Sequence, residues 1–432
     1  MGRRAERAAR PLKAVCGPAG LIAVGVCGVL IAVDGAAPGS GIVAGARPLH
    51  GALGGPLRTL GDPLGRSTFL VLLVAMAAGY ALAVAGSASL TPQAAAGIVA
   101  GLHVLFALTP PLLSTDVFSY VDYARMGTLH GLNPYAHSPV AAPHDAVFPL
   151  VARVWRHTPT AYGPLFTALS SAVAPLGVAA SVWTMKALAA ASSLLVAWLV
   201  AGIARDHGRS PVRAGLVAGL NPVMLVYGVG GAHNDLLMLA AGTAGVALFL
   251  RRGEGGAAAA VVAGAAIKAS MIIALPYLLA DAVRRRAVLA GALGAGSAAA
   301  ALGLALFGTP VVGFVGVLRR QQALVSSDAF PTMVAHLFGK PGVFPIDRVL
   351  LRIVVAIVLL GLLVAVRMGA LSWIAATGWA LLALVVTTTW LLAWYALWPL
   401  PFAVAAGDRR LLAATLAVQA LFVVHQLAPL LA

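Results

Sequence analysis

The chain has 432 residues, of which 61% are hydrophobic and only 10% charged, and apolar stretches near the roughly 20 residues needed to cross a bilayer recur from end to end. These figures exclude a soluble enzyme, and the absence of period-2 alternation excludes an outer-membrane barrel. The formal net charge of +16 is scattered over single turns with no continuous basic stripe or interleaved aromatics, which excludes a nucleic-acid partner.

In chain order, MGRRAERAARPLK leads into an apolar run from Gly17 to Val33. It has the charge and core of a signal peptide, but many equally apolar segments follow, so an uncleaved first helix is expected. Cys16 and Cys27 lie about 16 Å apart along that helix, beyond disulfide reach, and read as packing residues. Further helices are predicted at 68–86, 94–112, 181–203, 214–229 and 234–251. A broken pair follows at 257–267 and 270–282, and then come 287–308, 350–367, 371–388, 390–406 and 410–430. The expected fold is an all-α polytopic membrane protein with about thirteen crossings in one integral-membrane domain over residues 1–432. Much of its 48-residue glycine complement serves close helix packing.

Charge orients these helices. With the N-terminus in the cytoplasm, Arg205, Arg209, Arg213, Arg251, Arg252, the run Arg284 to Arg286, and Arg409 with Arg410 all fall in short cytoplasmic turns. Counting the apolar stretch 164–180 as a crossing would put the turns at 205–213 and 251–252 outside, so it is read as an outer-surface or re-entrant helix. Three outer segments remain, about 34–67, 113–180 and 309–349, and they hold an unusual share of the polar residues.

The motifs with chemical content lie on that outer side. In DVFSYVDYARMG, Asp116 emerges directly after an apolar run, at the mouth of a membrane-embedded cavity, where a carboxylate can accept a proton from a substrate hydroxyl. Tyr120, four residues on, shares its helical face, whereas Asp122 points elsewhere. The competing reading of Asp116 is a helix N-cap. Tyr135 in GLNPY and Tyr162 in YGPLF are turn residues that could also meet a sugar. In GGAHND, His233, Asn234 and Asp235 begin a helix on the same side, as sugar-binding groups or as caps. Lys268 sits in VVAGAAIKASMIIALPYLL, where a lone charge needs a cavity, a partner or a route to the interface. Arg319 and Arg320 in GVLRRQQ suit a phosphate by fork geometry, or anchor the chain at the interface. There is no metal-ligand spacing and no phosphate-binding G-x-x-x-x-G-K-[ST] loop, so neither a metal nor a nucleotide cofactor is expected.

The segments LLSTDVFSY, GLNPY, YGPLF and NPVMLVYGVGGAHND resemble the actinobacterial polyprenyl-phosphate-mannose-dependent α-1,6-mannosyltransferases, membrane glycosyltransferases of the GT-C fold class. The resemblance covers residues 105–285, and Thr115 stands where that family often has a basic residue. It implies a GT-C fold with Asp116 as the catalytic aspartate in the first large outer loop. The donor would be a polyprenyl-phosphate sugar and the acceptor a glycan or glycolipid arriving from outside, as in lipomannan-type synthesis. Lys268, Arg319 and Arg320 would then bind the donor phosphate, and Tyr120, Asp122, Tyr135, Tyr162, His233, Asn234 and Asp235 the sugars. The alternative is a transporter or flippase of lipid-linked sugars, against which the one-sided placement of the acidic residues and the lack of repeated halves both count.

Overall fold

The structure is a computed structural model that describes the backbone of residues 2–43, 49 and 51–431, and the side chains of 15–43, 49 and 51–426. Apart from one isolated bridge between Val43 and Leu112, the regular secondary structure of the described residues is all helical, and residues 131–163 form a long, mostly irregular segment. The first three helices are α1 (Gly2–Ala36), α2 (Arg66–Ala85) and α3 (Pro92–Ala107). Glycine draws α1 and α2 together: a Cβ on Gly20 would lie 2.3 Å from the backbone nitrogen of Ala83. Contact this close lets two apolar helices associate where lipid removes the hydrophobic drive.

The chain continues through α4 (Asp116–His130), α5 (Pro164–Val173), the long α6 (Val178–Asp206) and α7 (Pro211–Gly219). Asn221 and Pro222 interrupt the next span, which bends by 46° and resumes as a π-helix over Val223–Val229. After α8 (Asp235–Leu250) and α9 (Glu254–Ile267) the chain breaks at Lys268, passes through a 3-10 turn at Ala269–Ile273, and resumes as α10 (Ala274–Asp281). The break is where the sequence places it. A second glycine seam joins α9 to α11 (Arg285–Phe307), where a Cβ on Gly291 would meet the carbonyl oxygen of Gly255 at 2.0 Å.

The last third holds α12 (Phe314–Gln321), α13 (Phe330–Leu337), α14 (Pro345–Arg367), α15 (Trp373–Thr387), α16 (Leu400–Ala406) and α17 (Arg409–Leu431). Helix α14 leaves most of its apolar surface uncovered, Ile353, Val354, Ile357 and Leu360 included, as a lipid-facing helix does.

Five helices among the described residues are long and apolar enough to cross a membrane, or six if the bent α7 pair is one span, and further apolar helices have only 10–17 residues. Thus the chain is a polytopic helical membrane protein, but the count of thirteen full-length crossings is not met by helix length. The difference lies in breaks. Predicted helix 390–406 is extended near residue 390, forms a 3-10 turn over Ala393–Leu397, and becomes α16 only at Leu400. The 164–180 stretch is likewise interrupted: α5 gives way to a 3-10 turn at Ala174–Leu176, and α6 begins only at Val178. Cys16 and Cys27 are free thiols, the latter buried.

Candidate active site

The approach to α4 is held from two sides. Leu112 N–H donates to the Gly230 carbonyl and Leu113 N–H to that of Ile42, and Leu113 takes a φ of 58° to do so. A positive φ is costly for a branched side chain and tends to persist at functional sites, where the surroundings over-determine it. Ala232, next to His233, has the same φ of 58°. The N-cap position falls to Thr115, so Asp116 is the first residue inside the helix and its carboxylate caps nothing. The capping alternative is thereby removed. Asn234 does occupy the N-cap position of α8, but its side chain makes no capping bond either.

Asp116 reaches into a cluster drawn from distant parts of the chain. Its Oδ1 accepts a 3.3 Å hydrogen bond from Trp155 Nε1, and its Oδ2 lies 3.8 Å from Nδ1 of His233. The His233 ring is fully buried and stacked on Trp394, with centroids 3.4 Å apart, and both its nitrogens lack a hydrogen-bond partner among the described residues. Burial, reinforced by Lys268 and Lys186, holds this imidazole well below its ordinary pKa and therefore neutral. Burial acts the other way on Asp116 and pushes its pKa up to about 6, against the smaller lowering effects of Lys268 and the Trp155 hydrogen bond. At pH 7 the pair is thus a carboxylate beside a neutral imidazole, and the carboxylate remains 13% exposed. A group poised near the working pH is what general-base catalysis needs.

Trp155 is not legible as a site residue in the sequence, and its hydrogen bond has a measurable consequence. Trp155→Phe keeps the ring against Trp390, whose centroid lies 6.0 Å away, but removes the donor that favours ionised Asp116. A hydrogen bond to an ionised acceptor exceeds one to a neutral acceptor by about 1 kcal/mol, so the acid limb of the pH–rate profile should move to higher pH by up to about one pH unit. An unmoved limb would separate Asp116 from the rate.

Behind the aspartate, Tyr120 packs edge-on against Tyr162 and Phe166, each at 5.0 Å between centroids, and its hydroxyl donates to Asn234 Oδ1 at 3.5 Å. The YGPLF turn docks on the break before α10: Gly163 N–H donates to the Ile267 carbonyl, and any Cβ at Gly163 would lie 2.1 Å from the Ala266 carbonyl oxygen. Lys186 is fully buried and donates to the Gly230 carbonyl at 2.7 Å, fixing the turn that presents His233. Lys268 Nζ lies 2.8 Å from both oxygens of Asp235, which is itself fully buried and also accepts from Trp398 Nε1 at 2.6 Å. The ammonium group rests over Tyr395 at 4.6 Å and Trp398 at 5.5 Å, within cation–π range.

The structure therefore brings together Asp116, Tyr120, Tyr162, His233, Asn234, Asp235 and Lys268. It gives Asp235 and Lys268 to each other, so the sugar role expected of the first and the phosphate role expected of the second meet a carboxylate and an ammonium that are already paired. Tyr135 lies elsewhere: its ring packs on Phe307, and its hydroxyl is hydrogen-bonded within a buried cluster, 3.1 Å from the Tyr162 carbonyl oxygen and 2.9 Å from Thr167 Oγ1. Asp122 is buried on another face of α4, both its oxygens without a hydrogen-bond partner among the described residues, and desolvation with the nearby Asp145 charge raises its pKa to about 7. Arg319 and Arg320 are exposed at the end of α12 and form no ion pair among the described residues. No group of three His, Cys, Asp or Glu side chains converges among the described residues. Besides Trp155, the missed side chains are Trp394, Tyr395 and Trp398, signalled only by the crowding of aromatics in WLLAWYALW.

The structure thus sets a carboxylate, a neutral imidazole and a floor of aromatic side chains together at one end of a bundle of apolar and broken helices. The family described as alpha-(1->6)-mannopyranosyltransferase, N-terminal domain, matches residues 22–284, and the chain belongs to it. The matched region holds Asp116, His233, Asp235 and Lys268, whereas Arg319 and Arg320 lie beyond it. Alpha-(1->6)-mannopyranosyltransferase A of Mycobacterium tuberculosis is 30% identical over 335 residues, 70% of this chain and 64% of that protein. The protein of the same name from Corynebacterium glutamicum is 29% identical over 172 residues, 39% and 35% of the two chains. A probable alpha-(1->6)-mannopyranosyltransferase of Mycolicibacterium smegmatis is 33% identical over 149 residues, 33% and 26% of the two. The chain thus spans less than two-thirds of the length of these relatives. No solved structure matches.

Proposed function

We infer that the chain is a membrane glycosyltransferase of GT-C type, working as one integral-membrane unit, that moves mannose from a polyprenyl phosphate to a glycan acceptor. The observation that carries this reading is Asp116, a carboxylate poised near pH 6 beside a neutral imidazole, in a chain whose relatives are named mannosyltransferases. None of those relatives is named a transporter or flippase.

In the proposed reaction the acceptor hydroxyl lies against Asp116. As its oxygen attacks the anomeric carbon of the donor, the O–H proton passes to Asp116 and the new C–O bond forms on the face opposite the phosphate. The bond between the anomeric carbon and the phosphate oxygen breaks, and the electron pair leaves with the polyprenyl phosphate. One displacement of this kind inverts the anomeric centre. His233 and Asn234, whose buried nitrogens His233 Nδ1, His233 Nε2 and Asn234 Nδ2 have no hydrogen-bond partner among the described residues, supply polar atoms for sugar hydroxyls. Trp155 and Lys268 keep Asp116 more acidic than burial alone would leave it. A role in lipomannan-type glycan synthesis follows from the same reading.

The outward orientation is supported by charge at the opposite helix ends. Helix α8 runs from Asp235 in the site to Leu250 beside Arg251 and Arg252, about 24 Å away at 1.5 Å per residue. Helix α9 returns from that basic turn to Lys268. The positive-inside rule supports an orientation with the arginine turns and the N-terminus in the cytoplasm and the site outside. In a background carrying Cys16→Ser and Cys27→Ala, Ser138→Cys and Ser327→Cys should react with a membrane-impermeant thiol reagent in cells stripped of any outer barrier. Protection of both would reverse the orientation and exclude an outer-face acceptor.

A further inference from the structure

Beside the aspartate cluster lies a cleft of about 470 Å³ that the reaction described above leaves unused. One wall is a single stripe of α14: Arg348, Leu351, Arg352, Val355, Ala356 and Leu359 fall at intervals of three and four residues and all line it. The stripe changes character along its length. Both arginines sit within the first two and a half turns, and beyond Arg352 the face is purely apolar for about 10 Å. No carboxylate lines the cleft, and neither arginine forms an ion pair among the described residues; Arg348 donates only to the Ala323 carbonyl, at 3.1 Å.

Arg352 is the more telling of the two. It is the eighth residue of α14, a strongly apolar helix that leaves most of its surface uncovered. An arginine at such a depth is expensive unless an anion or a polar cavity receives it. The opposite wall leads to the aspartate. Tyr395 and Trp398 lie under Lys268, and Trp390 meets the edge of Trp155, whose indole nitrogen holds Asp116.

A cationic end, an apolar groove and an aromatic passage toward a general base match a phosphate ester that carries one long hydrocarbon chain on one side and a sugar on the other. We propose that Arg348 and Arg352 seat the phosphate of the lipid-linked donor, with its chain along the Leu351–Leu359 face. This assignment rests on the glycosyl-transfer reading above. It moves the phosphate away from Lys268, whose charge Asp235 already balances, and from Arg319 and Arg320. Two guanidinium groups one turn apart can each offer paired donors to a phosphate, and the charge they place there stabilises the leaving group as the glycosidic bond breaks.

The test is direct binding of polyprenyl phosphate, without sugar, to the full chain in lipid nanodiscs, with unphosphorylated polyprenol, phosphatidylglycerol and inorganic phosphate as competitors. The Arg348→Gln/Arg352→Gln variant should lose about tenfold or more in affinity for polyprenyl phosphate. Its weak affinity for polyprenol should not change, and Arg319→Gln/Arg320→Gln should bind as the unaltered chain does. Arg348→Lys/Arg352→Lys should recover part of the loss, which a merely misfolded Gln variant would not explain. Unchanged affinity in the Gln variant overturns the assignment, as does equal competition by phosphatidylglycerol, which would make the cleft a seat for bulk anionic lipid. Because binding needs no turnover, the two readings fail separately. Arginine-dependent binding with no sugar transfer would sink the enzyme reading alone, and transfer that ignores both arginines would sink the cleft alone.

Discussion

Asp116→Asn should lower the rate of sugar transfer by about 10²- to 10⁴-fold, the range that a positioned general base contributes. The amide keeps the shape of the side chain and an oxygen for the Trp155 indole, so the fold around α4 should survive and the loss should appear in the rate and not in the yield of folded protein. Since the base must be ionised to work, the rate of the unaltered chain should rise with pH through about 6 and level off above it. A variant that retains more than about a tenth of the rate, or a profile flat across that pH range, would remove Asp116 from the chemistry.

The second large effect is on stability. Lys268→Ala removes the cation paired with Asp235, a carboxylate with no solvent exposure, and among the described residues leaves it the indole donor of Trp398. Stripping one partner from a buried ion pair typically costs about 3–5 kcal/mol, because the surviving charge has lost both water and its counter-ion. Thermal unfolding in detergent should show the loss, and adding Asp235→Ala should restore much of it, with a coupling that a double-mutant cycle can measure. Equal stability of Lys268→Ala and the unaltered chain would contradict the pairing. The outcome also separates two roles for Lys268. A phosphate ligand would cost donor affinity first, whereas an internal counter-ion costs stability first.

Much of the site could be read from local signals. Asp116 lies where an apolar run gives way to polar residues, GGAHND begins a helix on the same side, and the chain breaks at Lys268 because a charge interrupts an otherwise apolar stretch. These depend on neighbours in sequence, and they hold in the structure. What was not legible depends on packing. The Lys268–Asp235 pair joins residues 33 apart, and Trp398 meets Asp235 from 163 residues away. No periodicity announces such contacts. Segment 390–406 is apolar enough to read as one helix, but it turns its aromatics onto His233 and Lys268 by abandoning helical geometry before Ala393 and again before Leu400. The boundary of α14 divides the arginines of the cleft: a helix read from residue 350 leaves Arg348 in a loop, whereas α14 starts at Pro345 and sets Arg348 and Arg352 on one face. Lys186, inside a predicted span, finds its partners among the carbonyls of the bent segment ahead of α8.

The central claim is that Asp116 drives mannose from a lipid phosphate onto a glycan. Its most direct test is to incubate the purified chain, and its Asp116→Asn variant, with labelled polyprenyl-phosphate mannose and a short mannoside acceptor, and to determine the configuration of any new linkage. The account expects a lengthened acceptor whose anomeric centre is inverted relative to the donor, formed by the unaltered chain and reduced at least about a hundredfold in the variant. A product that retains the donor's configuration, equal product from both proteins, or no transfer at all by a folded chain would contradict it.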